Sequence, residues 1–222
     1  MPTVIDLQAL GDSPGTVEVV ANALRSGDHV ALPVETSYVT ASLPDWHGRG
    51  GNEHLERFSG QAAALAFRDF SSVDDLAGPI SGKPLRLLRR CWPGIPIVEF
   101  AGLAEDSRLR HLPGSLKSRL LHDGHLRTMV PRHEFMHRLL RHFPGPLLVS
   151  VPSSPKDSWT TATEVSKGVG GQIDSAIGLR HVFPVQTNRI ISPDMRSIAF
   201  ADNAPSSTTC TRLPSMRTIV EP

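Results

Sequence analysis

The sequence predicts a single α/β or α+β domain built on a mixed sheet. Segments with the apolar spacing of helices alternate irregularly with short apolar runs that are typical of buried strands. The length of 222 residues suits one sizeable domain, and neither an internal repeat nor a linker divides the chain. The hydrophobic content of 39% and the charged content of 20% are those of a globular protein with a substantial core.

Charge and cysteine content argue against several classes of protein. A net charge of +1 gives no whole-molecule field that favours nucleic acid or membrane. The two cysteines, Cys91 and Cys210, are fewer than a secreted disulfide scaffold would carry. The first 15 residues lack the basic start and apolar core of a signal peptide, and no apolar run approaches the roughly 20 residues of a membrane span. We therefore expect a cytoplasmic protein.

Helices are predicted where apolar residues recur at helical spacing beside capping residues. The clearest covers residues 13–28, with Ser13 as its cap, Gly27 as its end and one apolar face formed by Val17, Val20, Ala21 and Leu24. The other predicted helices are 71–78, 83–92, 132–143 and 160–170, and the predicted strands are 30–32, 62–70, 95–100, 146–152 and 172–178. The predicted loops are 47–54 and 101–126, the latter with a short helix, and the tail 180–222 is predicted to hold two or three short strands.

The motif "HEFMH" matches the H-E-x-x-H pattern of zinc hydrolases. His133 and His137 would bind zinc from one face of a helix, with Glu134 as general base. Three observations disfavour this interpretation. Pro131 places the start of the helix at the motif itself, Arg138 puts a cation beside the supposed metal, and ten histidines in the chain make a chance match ordinary. The sequence therefore favours no metal site.

Hydroxyl side chains follow two of the predicted strands. In "HVALPVETSYVTA", residues 29–41, an apolar run leads into Thr36, Ser37 and Tyr38, and Ser153 and Ser154 follow the strand 146–152. Such residues often form turns. They also line ligand sites, because α/β sheets bind ligands at the carboxyl ends of their strands. The sequence by itself supports both interpretations.

Five landmarks, in order from about residue 15 to the C-terminus, resemble the YrdC-like family of threonylcarbamoyl-adenylate synthases. The family signature P-T-E-T-V-Y-G-L corresponds to "PVETSYVTA", and an apolar helix ending in W-P-G corresponds to "LRLLRRCWPGIPIV". V-P, a helix and G-P-L-V-A-P-S-A-N correspond to "MVPRHEFMHRLLRHFPGPLLVSVPSSP". A threonine-started helix with L-G-G-x-V-D corresponds to "TTATEVSKGVGGQIDSAI", and the closing motifs to "SSTTCTRL" and "RTIVEP".

The resemblance implies a single twisted mixed-sheet domain over 1–222 with a concave ligand face. It also implies a nucleotidyltransferase activity, in which threonine, bicarbonate and ATP with magnesium yield threonylcarbamoyl-AMP for modification of a tRNA adenosine. Members of the family are also described as binding double-stranded RNA. The positions that the resemblance assigns to substrate or nucleotide binding are Thr36, Tyr38, Ser153, Ser207 and Thr208.

The residues that would hold the triphosphate depart from the family pattern. Ser59, Gly60 and Gln61 stand in place of K-x-R, Met129 replaces the arginine before V-P, and Pro155 replaces the asparagine of S-x-N. Each lost contact to a charged group costs about 1.5–3 kcal/mol. Several such losses would slow a reaction by many decades, since about 1.4 kcal/mol is a factor of ten.

Three hypotheses follow for the function. The first is a divergent YrdC-like protein with a degraded catalytic set, which binds a nucleotide or RNA without turnover or acts on an altered substrate. The second is an active synthase in which Arg57, Arg68 or Arg127 replaces the lost cations. The third is a zinc hydrolase that uses His133 and His137.

Overall fold

The structure is a computed structural model. It covers residues 3–6, 14–44, 51–59, 61–77, 80, 82–94, 96–101, 117, 120–151, 159–169, 171–178 and 190–191. No helix in these ranges is long and apolar enough to cross a membrane.

Strands and helices alternate along the described chain. The strands are β1 Thr3–Asp6, β2 Val30–Pro33, β3 Tyr38–Ser42, β4 Ala62–Ala66, β5 Ile97–Ala101, β6 Leu121–His122, β7 His125–Met129, β8 Leu147–Val151, β9 Ser175–Gly178 and β10 Ile190–Ile191. The helices are α1 Pro14–Arg25, α2 Gly51–Arg57, α3 Phe70–Ala77, α4 Gly82–Cys91, α5 Glu134–Leu140 and α6 Ala162–Val169.

The strands form one mixed sheet, as the sequence predicts. Their order is β1-β9-β2-β3-β8-β4-β7-β5-β10, and β6 pairs with β7. The pairs β1–β9, β9–β2, β4–β7 and β5–β10 are parallel, and the other pairs are antiparallel. The predicted α/β class with a mixed sheet is therefore confirmed.

The two faces of the sheet differ in what covers them. One face packs against α1 and α5 through a single large cluster that includes Val20, Leu32 and Leu139. We call this the α1/α5 face. The opposite face carries two separate apolar clusters, one around Leu88 and Trp92 and one around Tyr38, Phe58 and Val165. Side chains alternate between faces along a strand, so residues two apart share a face.

Caps and turns account for several helix boundaries. Gly27 follows α1 with φ +93°, a conformation that glycine adopts at little cost. At α6, the backbone N–H of Glu164 donates to Thr161 Oγ1, and Glu164 accepts from the backbone N–H of Thr160. At α3, the N–H of Ser72 donates to Asp69 Oδ1. The predicted helices 13–28, 71–78 and 160–170 are thus confirmed in type, with shifted ends.

Two predicted loops contain regular structure instead. Residues 47–54 were expected to be a loop, but α2 begins at Gly51. Among the described side chains of this region, His54 and Phe58 just beyond the helix are buried, so a pattern that counts histidine as polar misses the helix. Within 101–126, β6 and the start of β7 form a hairpin around Asp123 and Gly124, both with positive φ, which is the geometry of a tight hairpin turn.

Candidate functional site

The hydroxyl cluster that follows β2 forms a hairpin turn. Pro33, the last residue of β2, pairs with Tyr38, the first residue of β3, so Thr36 and Ser37 lie in a turn that leads to a second strand the sequence did not predict. The N–H of Val34 donates to the carbonyl of Ser37 at 2.8 Å, and the N–H of Tyr38 donates to the carbonyl of Trp159 at 2.9 Å. The turn is therefore fixed to the segment that leads into α6.

Glu35 ties this turn to a second segment. Its Oε1 atom accepts the backbone N–H groups of Arg132 and His133, which come just before α5. The carboxylate thus satisfies donors that have no partner within the helix at its N-terminus. Glu35 therefore has a structural role in the described geometry, because it joins the turn to the start of α5.

The structure buries both site residues predicted in this region. Thr36 lies in the turn, and the ring of Tyr38 packs in the apolar cluster with Ala31, Phe58 and Val165. Tyr38 is fully buried, so in this conformation its ring is part of the core of the sheet face. The other predicted site residues, Ser153, Ser207 and Thr208, lie outside the described residues, and their roles stay predictions.

A row of hydroxyls continues from the turn across the sheet. Thr40 and Ser42 follow Tyr38 at alternate positions of β3, and Ser150 of β8 is the cross-strand partner of Thr40. We call Thr40, Ser42 and Ser150 the hydroxyl row. All three lie on the face opposite α1 and α5, between its two apolar clusters, and none is more than 5% exposed. Among the described residues, Thr40 Oγ1 and Ser42 Oγ have no hydrogen-bond partner.

Helix α2 covers the row with a histidine. His54 Nε2 and Ser150 Oγ form a hydrogen bond of 3.0 Å. The His54 ring stacks on the ring of His29, with centroids 5.2 Å apart and planes 7° from parallel, and Phe58 packs against both. The backbone N–H of His29 donates to Asp174 Oδ2 at 2.8 Å. Two imidazoles therefore lie together beside the row.

Both imidazoles are neutral at pH 7. Burial, and then the neighbouring His29 and Arg57, together lower the pKa of His54 to about 3. Burial and then Arg57 lower the pKa of His29 below 6.5, although Asp174 opposes them. A neutral imidazole is both a donor and an acceptor, so the site combines hydroxyls and imidazoles without a buried charge.

The three arginines proposed as replacement cations each pair with a carboxylate. Arg57 contacts Glu53 at 2.5 Å, Arg68 contacts Asp69 at 2.8 Å, and Arg127 contacts Glu99 at 2.7 Å; all three carboxylates lie in the described part of the chain. Arg127 shares the α1/α5 face with Met129, because the two are two residues apart on β7. Only Arg57 of the three acts on the electrostatics of the histidine pair.

The candidate zinc motif does not have the geometry of a helical ligand pair. His133 is the residue before α5, with φ −58° and ψ 126°, so it lies outside the helix that carries His137. Glu134, the supposed base, forms an ion pair with Arg138. Within the described ranges, no three His, Cys, Asp or Glu side chains are grouped closely enough to hold a metal ion.

Sequence reasoning missed the hydroxyl row and the histidine pair. Thr40 and Ser42 sit at alternate positions of a strand whose other side chains are apolar, and this pattern marks a polar patch on one face. Ser150 interrupts the apolar run of β8 in the same way. No local pattern relates His29 to His54, because the packing of α2 against the sheet brings them together.

Comparison with known proteins gives matches in structure only. No family model and no curated protein matches the chain. A double variant of P. abyssi Sua5 superimposes with a TM-score of 0.70 at 19% identity over 89% of this chain and 59% of that chain. P. abyssi Sua5 complexed with L-threonine gives 0.66 at 20% identity, covering 86% and 54%, and E. coli YCIO gives 0.66 at 17% identity, covering 86% and 89%.

The chain thus spans a little over half the length of the two Sua5 chains and most of the length of YCIO. The protein therefore has the fold of Sua5 and YCIO, which is the fold that its resemblance to the YrdC-like family implies.

Proposed function

We propose that this chain is a divergent YrdC-like protein that binds an amino acid on the hydroxyl-bearing face of its sheet and does not synthesise threonylcarbamoyl-AMP. The fold, the buried Thr36 and the hydroxyl row support the binding half of the proposal. A solved neighbour, P. abyssi Sua5, is complexed with L-threonine, so threonine is the first ligand to test. We place this binding in the cytoplasm.

The observation that carries the proposal is that each of the three arginines is paired with a carboxylate. Adenylate synthesis needs positive groups around the triphosphate, because negative charge builds up on phosphate oxygens in the transition state. Pairing with a carboxylate offsets much of the charge that a guanidinium offers to a phosphate, and Arg127 lies on the other face of the sheet. We infer that these three residues do not replace the family's cations.

ATP with magnesium fits the described residues poorly. Magnesium is usually held by one or two carboxylates together with substrate phosphates. Three carboxylates face the histidine pair: Glu53, which contacts Arg57; Asp174, which accepts the N–H of His29; and Asp28. Glu53 and Asp174 already have these partners, so we propose that magnesium and ATP are not resident ligands of the described site.

Calorimetric titration tests this proposal. We expect threonine to give a saturable heat of binding and magnesium–ATP to give none at the same concentrations. Binding of magnesium–ATP with threonine-dependent release of pyrophosphate would refute the proposed loss of synthesis. Absence of any heat with threonine would refute the proposed retention of the amino-acid site.

The position of Arg57 favours the alternative hypothesis, an active synthase with a relocated cation. Its side chain is 36% exposed and lies close enough to the histidine pair to shift both pKa values. In that case wild type releases pyrophosphate from ATP, threonine and bicarbonate, and Arg57→Gln abolishes the release. Arg68→Gln is the matched control, because Arg68 pairs with Asp69 and does not act on the histidines.

We also propose that α4 is the surface through which tRNA or double-stranded RNA binds. Leu88 is buried on one side of this helix, and four basic residues are exposed on it: Lys83, Arg86, Arg89 and Arg90. We expect Arg86→Gln/Arg90→Gln to weaken RNA binding and to lower the slope of log K against log salt by up to about two. Arg132→Gln, an exposed arginine on another element, is the control, and an unchanged slope would contradict the assignment.

A further inference from the structure

The three side chains of the hydroxyl row are all in place, but they are buried in this conformation. Two of its three hydroxyls have no partner within the described ranges, although each is at least nine-tenths buried. A buried hydroxyl without a partner is costly, so such groups in native proteins normally have a ligand or water to bond. The third hydroxyl, Ser150, is bonded by His54. Helix α2 therefore occupies the side from which a ligand would approach.

Described contacts between α2 and the rest of the molecule come from His54, Arg57 and Phe58, and they include the stack of His54 on His29. Besides the bond from His54 to Ser150, Arg57 donates to the carbonyl of Gln172 at 3.3 Å, and Phe58 packs at the end of the helix. The ion pair of Arg57 with Glu53 lies within α2 itself and moves with it. The helix has only seven residues, too few for stability without tertiary packing.

We propose that α2 is a plug that covers the hydroxyl row. Displacement of α2 exposes the row, so that a small molecule bearing hydroxyl or amide groups can form hydrogen bonds with Thr40, Ser42 and Ser150. The inference rests on the proposed function for the identity of that ligand, which we take to be the amino acid. The plug itself follows from the His54–Ser150 bond and from the unpartnered hydroxyls beneath it.

We expect protonation of the histidine pair to favour displacement of α2. The groups that face the pair are Arg57 and Glu53 from α2, Asp174 from the segment before β9 and Asp28 from the segment before β2. A charge on either imidazole would lie against a second imidazole and the Arg57 guanidinium. Both rings have a lower pKa with α2 docked than the ordinary 6.5. Docking is therefore favoured above that pH and weakened as the pH falls below it.

Hydrogen exchange of the α2 amides tests the plug without any ligand. For His54, whose pKa is about 3 with α2 docked and near 6.5 when undocked, the opening equilibrium rises about tenfold between pH 7.5 and 5.5, after correction for intrinsic exchange rates. We expect this rise in α2 and not in α1, which carries no histidine. His54→Gln, which keeps a hydrogen-bonding group, should reduce the rise about tenfold, and His122→Gln, an exposed histidine, should leave it unchanged.

Two results would overturn the plug. One is unchanged protection of α2 between the two pH values, and the other is a parallel loss of protection in α1, which indicates global unfolding. Threonine titration separates the ligand from the plug. We expect the apparent affinity to rise by the same factor as opening, because the competent fraction sets it. Opening without any threonine binding would leave the plug standing and refute the proposed function.

Discussion

Replacement of Tyr38 by alanine lowers the free energy of unfolding by about 3–5 kcal/mol. The ring is fully buried among Ala31, Phe58 and Val165, and truncation of a buried aromatic ring loses both its transfer free energy and the contacts around the cavity that remains. Urea denaturation followed by circular dichroism measures the change. The loss removes the packing that joins β3 to α6, so the hydroxyl row should lose its geometry as well.

Tyr38→Phe separates packing from a direct role in the site. The ring remains, so we expect the free energy of unfolding to change by no more than about 1 kcal/mol, the scale of one hydrogen bond. We also expect threonine affinity to stay within about threefold of wild type, because the ring lies in the core. A large loss of affinity with unchanged stability would show that the hydroxyl contacts the ligand, as the family resemblance implies.

Removal of Glu99 has the second largest effect. Glu99→Ala should lower the free energy of unfolding by about 3 kcal/mol, because it leaves the guanidinium of Arg127 nearly buried without its partner. We take the lower end of the range for broken buried pairs, since the two side chains are 10% and 19% exposed. The measurement is again urea denaturation, with the exposed Glu134→Ala as the control.

The double variant Glu99→Leu/Arg127→Met tests whether Arg127 is structural. Apolar replacement of both partners removes the buried charges together, so stability should recover to near that of wild type. Threonine binding should also be retained, because the pair lies on the α1/α5 face of the sheet. Recovery of stability with complete loss of ligand binding would contradict this placement of Arg127.

Local patterns predict the elements whose boundaries are set by local chemistry. The apolar face of α1 and the threonine cap of α6 are visible in the sequence, and the apolar run of β8 identifies a buried strand. In α2 a buried histidine takes a position that an apolar pattern would otherwise mark, and the β6–β7 hairpin is set by its turn at Asp123 and Gly124. The packing of these elements, rather than their composition, determines that they are regular.

The site itself depends on contacts between distant parts of the chain. The pairing of Thr40 with Ser150 follows from strand register, and the bond of Ser150 to His54 joins residues 96 positions apart. Neither relation has a local signal. The family resemblance assigns Thr36 and Tyr38 to a ligand site and implies which cations are missing, and both stay predictions. It does not show that helix α2 covers the row.

Titration of threonine and of magnesium–ATP into wild type, Thr40→Val and Thr128→Val tests the central claim most directly. Thr128 is a matched control, because it is buried on the same face and its hydroxyl already donates to the carbonyl of Val98. We predict that threonine binds wild type and Thr128→Val, that Thr40→Val weakens binding at least tenfold, and that magnesium–ATP binds none of them. Tight binding of magnesium–ATP, or threonine binding that Thr40→Val leaves unchanged, would contradict the account.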